Sequence, residues 1–341
     1  MIRDSLRKVA AGETLSEGEA ERALETIMEG TVPAAVTAAL LTGMRLRGES
    51  VAEIVGFARA MRRFAANVDA PPEVVDTCGT GGDAKGTINI STAAAFVARG
   101  AGVIVAKHGN RAATSRAGSA DVLEALGAGI ELGPDEVSRC IAETGIGFMF
   151  ARTHHPAMRH VAPVRAELPF RTIFNLLGPL TNPAGARRQV IGVFGKDYVL
   201  PVAEALGSLG AEKALVVHGT DGMDEITVTA ETVVAEVGDG GITEYEISPE
   251  DLGLTRHAPD GLLGGDAHLN ARVLRGVLSG EERGAARDVI LANAGAAIYV
   301  SGGSESLETG VRLAEESIAT GAASQALEDF VKTTRRLSGE A

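Results

Sequence analysis

Over roughly the first seventy residues the apolar positions recur at the three- and four-residue spacing of amphipathic helices. Ser16-Glu17-Gly18-Glu19 is a capping box at the head of AERALETIM. Pro33 fits the first turn of the next helix, TVPAAVTAALLTGMRLRG, and Gly48 fits its stop. Ser50-Val51-Ala52-Glu53 is a second capping box, ahead of IVGFARAMRRFA. No strand signal occurs in this part of the chain.

From Val74 onward short β-rich runs alternate with helical ones. VIVA (103–106), GFMF (147–150), VIGVF (190–194), ALVVH (214–218) and AAIYV (296–300) read as strands. STAAAFVARGAG, SADVLEALGAG, YVLPVAEALGSLG and the segment around EERGAARDVILANAG read as helices between them. That alternation predicts an α/β fold with a mostly parallel central sheet behind a small all-helical N-terminal domain. VVAEV and EYEIS look like a local antiparallel insert. The boundary falls near ANVDAPPEV, giving a helical domain over 1–70 and an α/β domain over 71–341. The proline-rich stretch 155–185 breaks the alternation and is expected to return, with added helices, onto the N-terminal ones.

Residues 76–83 read DTCGTGGD, and Val74 and Val75 before them look like the end of a strand. Glycines give a ligand access to main-chain N–H groups, so the turn suits a phosphate as well as an ordinary tight connection. Asn89-Ile90-Ser91-Thr92 then opens a helix, where Ser and Thr suit plain capping and the same N–H groups suit phosphate. Lys107-His108-Gly109-Asn110-Arg111 follows VIVA directly, beyond the carboxyl end of a strand, where open parallel sheets bind ligands. Asp224-Glu225 lies in the loop after ALVVH; beside a diphosphate, such a pair needs a divalent cation between, with Asp221 as a possible helper. His155 and Arg165 lie in the proline-rich stretch, and a guanidinium is the best partner for a planar carboxylate.

Charge sharpens this picture. The net charge is −13, which disfavours nucleic acid and anionic membranes and makes the Lys107–Arg111 cluster a local reversal of sign. Aromatics make up only 4% and Trp is absent, against 43 Gly, which suits close helix packing and glycine turns. Cys78 and Cys140 have no metal-like spacing; two lone cysteines in a long chain suggest a reducing compartment, and both read as packing residues rather than nucleophiles. The N-terminus is charged from residue 3, with no apolar stretch for a signal peptide, so the cytoplasm is the expected location.

Together these motifs resemble the anthranilate phosphoribosyltransferase family of tryptophan biosynthesis. The matching elements are DTCGTGGD (76–83), NIST (89–92), KHGNRA (107–112), GSADVLEALG (118–127), HPAM (155–158), RTIFNLLGPLTNP (171–183) and GMDE (222–225), in order along nearly the whole chain. The resemblance implies a nucleoside-phosphorylase-type fold, a homodimer, Mg²⁺, and the substrates phosphoribosyl diphosphate and anthranilate. It implies that Gly79, Gly82, Asp83 and Thr87 line the donor's diphosphate and ribose, and that Asn89, Ile90, Ser91 and Thr92 hold donor phosphate or metal. Lys107, His108, Gly109, Asn110, Arg111, Ala112, Ala113, Thr114 and Ser115, with Ser119, would complete the donor site. Ser91, Asp224 and Glu225 would bind Mg²⁺. Gly79, Asn110, His155, Arg165 and Gly178 would surround anthranilate, with Lys107, Arg165, His155 and His108 as the catalytic set.

Two stretches depart from the family pattern: residues 113–117, where serines and a lysine are usual, and 151–154, where a proline and a tyrosine are usual. Two other readings remain. A pyrimidine nucleoside phosphorylase shares the fold but carries Lys-His-Ser where this chain has Asp76-Thr77-Cys78. A non-catalytic nucleic-acid-binding paralogue would show basic stripes, which a chain at −13 lacks.

Overall fold

The computed structural model describes residues 2–112 and 116–339. Four helices come first: α1 (Ile2–Ala10), α2 (Glu17–Met28), α3 (Ala34–Arg47) and α4 (Val51–Arg63). Both capping boxes form. The Glu19 N–H donates to Ser16 Oγ at 3.4 Å, and the Ser16 N–H donates back to Glu19 Oε2 at 3.0 Å. At the second, Glu53 is fully buried and also accepts the Leu15 N–H at 2.9 Å, so a local cap doubles as a tertiary tie between helices. Pro33 sits at the cap position just ahead of α3.

An extended linker leads into β1 (Val75–Gly79), α5 (Ile90–Gly100), β2 (Val105–Gly109), α6 (Ser119–Ala125), α7 (Pro134–Thr144) and β3 (Ile146–Phe150). The stretch 151–187 carries the short helices α8 (Ala151–His154), α9 (Ala162–Glu167) and α10 (Phe174–Leu180). Then follow β4 (Arg188–Gly192), α11 (Val199–Ser208), β5 (Lys213–Gly219), β6 (Thr232–Gly238) and β7 (Gly241–Ile247). Four helices close the chain: α12 (Ala267–Leu278), α13 (Ala285–Ser301), α14 (Leu307–Ala319) and α15 (Ala322–Ser338).

The seven strands form one sheet in the order β3-β2-β1-β4-β5-β6-β7. The first five are parallel, and β6 and β7 add antiparallel at one edge. VVAEV and EYEIS are antiparallel, as expected, and they extend the main sheet at its edge. Side chains alternate between faces as a strand requires. Leu215 and Val217 join Val75, Phe96 and the α13 residues in one core. Ala214 and Val216 join a second core, which also takes Leu24, Leu41 and Phe57 from the N-terminal helices and Val161, Phe174 and Leu177 from the proline-rich stretch.

Two expectations from the sequence are corrected. AAIYV (296–300) is the last part of α13, not a strand. That helix is buried on nearly every side, so it is apolar all round and shows no polar face to reveal its period. Val75 starts β1 and does not end it: the strand runs on to Gly79, in register with Arg188–Gly192 of β4, so Asp76, Thr77 and Cys78 are buried strand residues.

Candidate active site

The chain runs outward from β1 through β2 to β3, then returns to place β4 on the other side of β1. The order reverses between β1 and β4, and the crevice beyond the carboxyl ends of strands at such a point is where open α/β sheets bind ligands. Gly79 and Gly192 end the two strands side by side. The glycine turn follows Gly79, with left-handed backbone at Gly81 (φ 68°), Gly82 (φ 82°), Ala84 (φ 60°) and Gly86 (φ 64°). Thr87 bridges to Leu263, which pins the turn's far end.

The acidic loop after β5 crosses this crevice. Asp224 Oδ2 accepts the Gly81 N–H at 2.7 Å, and Glu225 Oε1 accepts the Ser91 N–H at 3.3 Å. Burial, then Glu225 and Asp83, push the Asp224 carboxyl well above its usual range. Burial also lifts Glu225 to about 7, against the pull of Lys107. Among the described residues no three His, Cys, Asp or Glu side chains gather as a metal cluster. The donor set is instead two crowded carboxyl groups beside the Ser91 hydroxyl: oxygen only, and ready to ionise where a cation offsets their charge. That set suits a hard divalent cation such as Mg²⁺. Asp221 is committed elsewhere, accepting from Met223 N at 3.1 Å and from the Thr227 hydroxyl at 2.6 Å.

Lys107 rises from the middle of β2 and is buried. Its ammonium donates to Thr77 O and, at 3.2 Å, to Ser91 Oγ. Burial lowers its pKa, and the buried Asp76 carboxylate is the main opposing influence. Asp76 accepts the His108 N–H at 3.1 Å and Asn182 Nδ2 at 2.7 Å. Asn182 Nδ2 also donates to Ala106 O at 2.8 Å, so the carboxylate behind Lys107 is locked into β2.

Ser91 and Thr92 do not cap α5. The cap residue is Asn89, which makes no side-chain cap bond. It donates to Ala117 O at 3.1 Å and accepts from Asn270 Nδ2 at 2.8 Å. Ile90 and Thr92 are buried beneath this helix start. The capping reading fails because Ser91 and Thr92 lie inside the first turn, past the cap position.

Loop 109–112 folds against α6. A Cβ on Gly109 would lie 2.3 Å from Ser119 Oγ, and Ser119 Oγ donates to Asn110 O at 3.2 Å. Ala112 N donates to Asp121 at 3.0 Å. Arg111 pairs with Asp121 at 2.9 Å and with Glu124 Oε1 at 2.8 Å, so much of the expected local positive charge is already matched by α6. Ala113, Thr114 and Ser115 lie outside the described residues.

On the other side of Lys107 sit three imidazoles. His108 Nδ1 lies 3.1 Å from Gly178 O, and its ring is 5.0 Å from that of His155. Both ring nitrogens of His155 are buried, with the Thr181 backbone as the polar group beside the ring. Burial, with the neighbouring His154, drops His155 to about 4; burial and His155 take His108 well below the usual range. Both are neutral near pH 7. Arg165 lies over the Phe174 ring at 5.4 Å, and burial lowers its guanidinium.

Sequence reasoning did not assign roles to Asp76, Asn182 or Arg171. Arg171 donates to Gly82 O and lies over the Phe194 ring at 4.3 Å. Both Asn182 and Arg171 belong to RTIFNLLGPLTNP, so a motif was visible, but no spacing rule links them to a turn a hundred residues earlier. Cys78 and Cys140 are buried free thiols.

Sequence models of the glycosyl transferase family match twice: its helical bundle domain over residues 3–65 and its a/b domain over 71–324. An anthranilate phosphoribosyltransferase from Rubrobacter xylanophilus is 79% identical over 339 residues, 99% of each chain. The crystal structure of the Thermus thermophilus anthranilate phosphoribosyltransferase superposes with a TM-score of 0.92 at 50% identity, covering 97% of this chain and 99% of that one. The Saccharomyces cerevisiae enzyme, solved in complex with PRPP and Mg, superposes at 0.90 with 28% identity over 98% of both chains.

Proposed function

This chain belongs to the anthranilate phosphoribosyltransferase family, and from that premise we propose how its own residues carry the transfer. The 5-phosphoribosyl group of phosphoribosyl diphosphate moves to the amine of anthranilate, giving N-(5-phosphoribosyl)anthranilate and diphosphate. The observation that carries this reading is the convergence of Gly81, Lys107, Ser91, Asp224 and Glu225 where the sheet order reverses. Neither a phosphorylase nor a nucleic-acid-binding paralogue draws support from the relatives.

Anthranilate's amine is a weak nucleophile, because its lone pair is conjugated with the ring and carboxylate. The C1–O bond of the donor therefore breaks early, and stabilising the departing diphosphate is the main task. Lys107 spends two of its three ammonium protons on Thr77 O and Ser91 Oγ and keeps one for a diphosphate oxygen. Ser91, Asp224 and Glu225 would hold Mg²⁺, which when bound neutralises diphosphate charge beside the acidic pair. That role gives a reason for two carboxylates being held so close in a buried crevice.

The acceptor half rests on Arg165 and the histidines. Arg165 has no ion-pair or hydrogen-bond partner for its guanidinium among the described residues, and lies over Phe174. It orients the anthranilate carboxylate. Holding the amine against C1 then contributes up to about 7–11 kcal/mol if the alignment is near ideal. His155 and His108, kept neutral by burial, are free to accept the amine proton as the new C–N bond forms. The helical domain and the α/β domain flank the crevice, and their closure excludes water that would otherwise hydrolyse the donor. In the same reading the enzyme works as a cytoplasmic homodimer.

The test is loss of anthranilate fluorescence on mixing with phosphoribosyl diphosphate, with and without Mg²⁺. Turnover that needs all three supports the reading. No turnover, or phosphorolysis of pyrimidine nucleosides without metal, overturns it.

A further inference from the structure

We infer that Arg171 is a positioning residue for the donor: it sets the peptide plane of the glycine turn from the far side of the crevice. Arg171 leaves the proline-rich stretch between α9 and α10 and donates to the carbonyl oxygen of Gly82. Its guanidinium rests on the Phe194 ring, 4.3 Å from the centroid. That ring is fixed in turn. It packs on Tyr198 at 4.9 Å, and the Phe194 N–H donates to Thr80 Oγ1 at 3.1 Å. Thr80 N donates to Gly192 O at 2.8 Å, which ties the platform to the carboxyl end of β4. The arginine is thus seated on a rigid base and reaches the turn with a defined geometry.

The consequence follows from the planar trans peptide. When the Gly82 carbonyl points to Arg171, the N–H of Asp83 points the opposite way. One residue earlier, Asp224 accepts the Gly81 N–H at 2.7 Å. The turn is therefore gripped from two sides, a guanidinium on a carbonyl and the Asp224 carboxyl oxygen on an N–H. Both grips act where the backbone is soft, since Gly81 and Gly82 have φ of 68° and 82° and no side chain to restrict them. Arg171 also lies six residues beyond Arg165, so one short stretch supplies a cation to each half of the site. This inference rests on the reading of the turn as the diphosphate site.

The experiment measures KM for phosphoribosyl diphosphate and for anthranilate, at fixed Mg²⁺, in wild type, Arg171→Ala, Arg171→Gln and Arg171→Lys, with melting temperatures for each. Arg171→Ala should raise the donor KM roughly ten- to a hundredfold, with the anthranilate KM within about threefold of wild type. Arg171→Lys keeps a donor of nearly the same reach toward the Gly82 carbonyl and should recover part of the donor KM, whereas Arg171→Gln, whose amide ends two bonds short of Nη2, should resemble Arg171→Ala. Unchanged donor KM in Arg171→Ala, or equal losses for both substrates in a folded protein, overturns the inference. So does a donor KM that neither Lys nor Gln moves back from the Ala value while the melting temperature falls in step, because Arg171 would then act on the fold alone. Failure of the underlying reading is separate, since it appears as absent turnover in the wild type.

Discussion

Asp224 lies directly on Gly192: a Cβ built on Gly192 would sit 1.6 Å from the Asp224 carbonyl oxygen. The end of β4 must be bare for the acidic loop to cross the crevice. Gly192→Ala should therefore displace the Asp224-Glu225 pair and raise the Mg²⁺ concentration needed for half-maximal activity. Overpacking of this kind costs about 1–3 kcal/mol, so a lower melting temperature should accompany the kinetic change. Wild-type metal response in this variant would show that the loop is not held as described.

Arg165 and the donor site should separate kinetically. Arg165→Ala removes the guanidinium over Phe174 and should raise the anthranilate KM roughly tenfold or more, while the donor KM stays within about threefold. Steady-state titrations of each substrate at saturation of the other decide it.

Burial of His155 has a sign in the pH dependence of stability. Its pKa falls from 6.5 in the unfolded chain to about 4 in the folded one. Between those values the unfolded state binds more protons, so this residue's contribution is fully present above pH 6.5 and is lost as pH falls toward 4. His155→Asn should flatten the acid side of the stability profile by up to about 3 kcal/mol, read by chemical denaturation at a series of pH values. An acid limb unchanged from wild type would remove His155 from this account.

Cys78 is buried in β1, and burial together with Asp76 holds its thiol well above the usual range. A thiolate is the reactive form, so the native protein should not react with a thiol reagent at pH 7. Cys78→Ala should retain activity within about threefold of wild type. Rapid modification with loss of turnover would reinstate a chemical role.

What the sequence made legible was local. The capping boxes at Ser16 and Ser50 need only residues three apart, and both form. The alternation of strands and helices needs only period, and it located β2, β3, β4 and β5 to within a few residues. It failed at 296–300 because α13 is buried all round, where a β-branched run carries no information about period. The glycine turn and the Asp224-Glu225 pair were visible as residue types in loops; Lys107 was visible as a cation, but it lies inside β2 and not beyond its end, because the strand starts at Val105 and runs on to Gly109. Their partners were not: Gly192 under Asp224 and Asp76 behind Lys107 are joined by strand order, and Arg171 meets Gly82 only through the return of the proline-rich stretch. Arg111 looked free for the same reason, since Asp121 and Glu124 meet it only once α6 folds back.

The most direct test of the site is a crystal grown with phosphoribosyl diphosphate and Mn²⁺ in place of Mg²⁺, read by the anomalous signal of manganese. The expected result is a peak in contact with a carboxylate oxygen of Asp224 or Glu225 and with the diphosphate, the diphosphate lying between the glycine turn and Lys107. A diphosphate seated away from the carboxyl ends of β1 and β2, or manganese bound with no contact to either carboxylate, would contradict it.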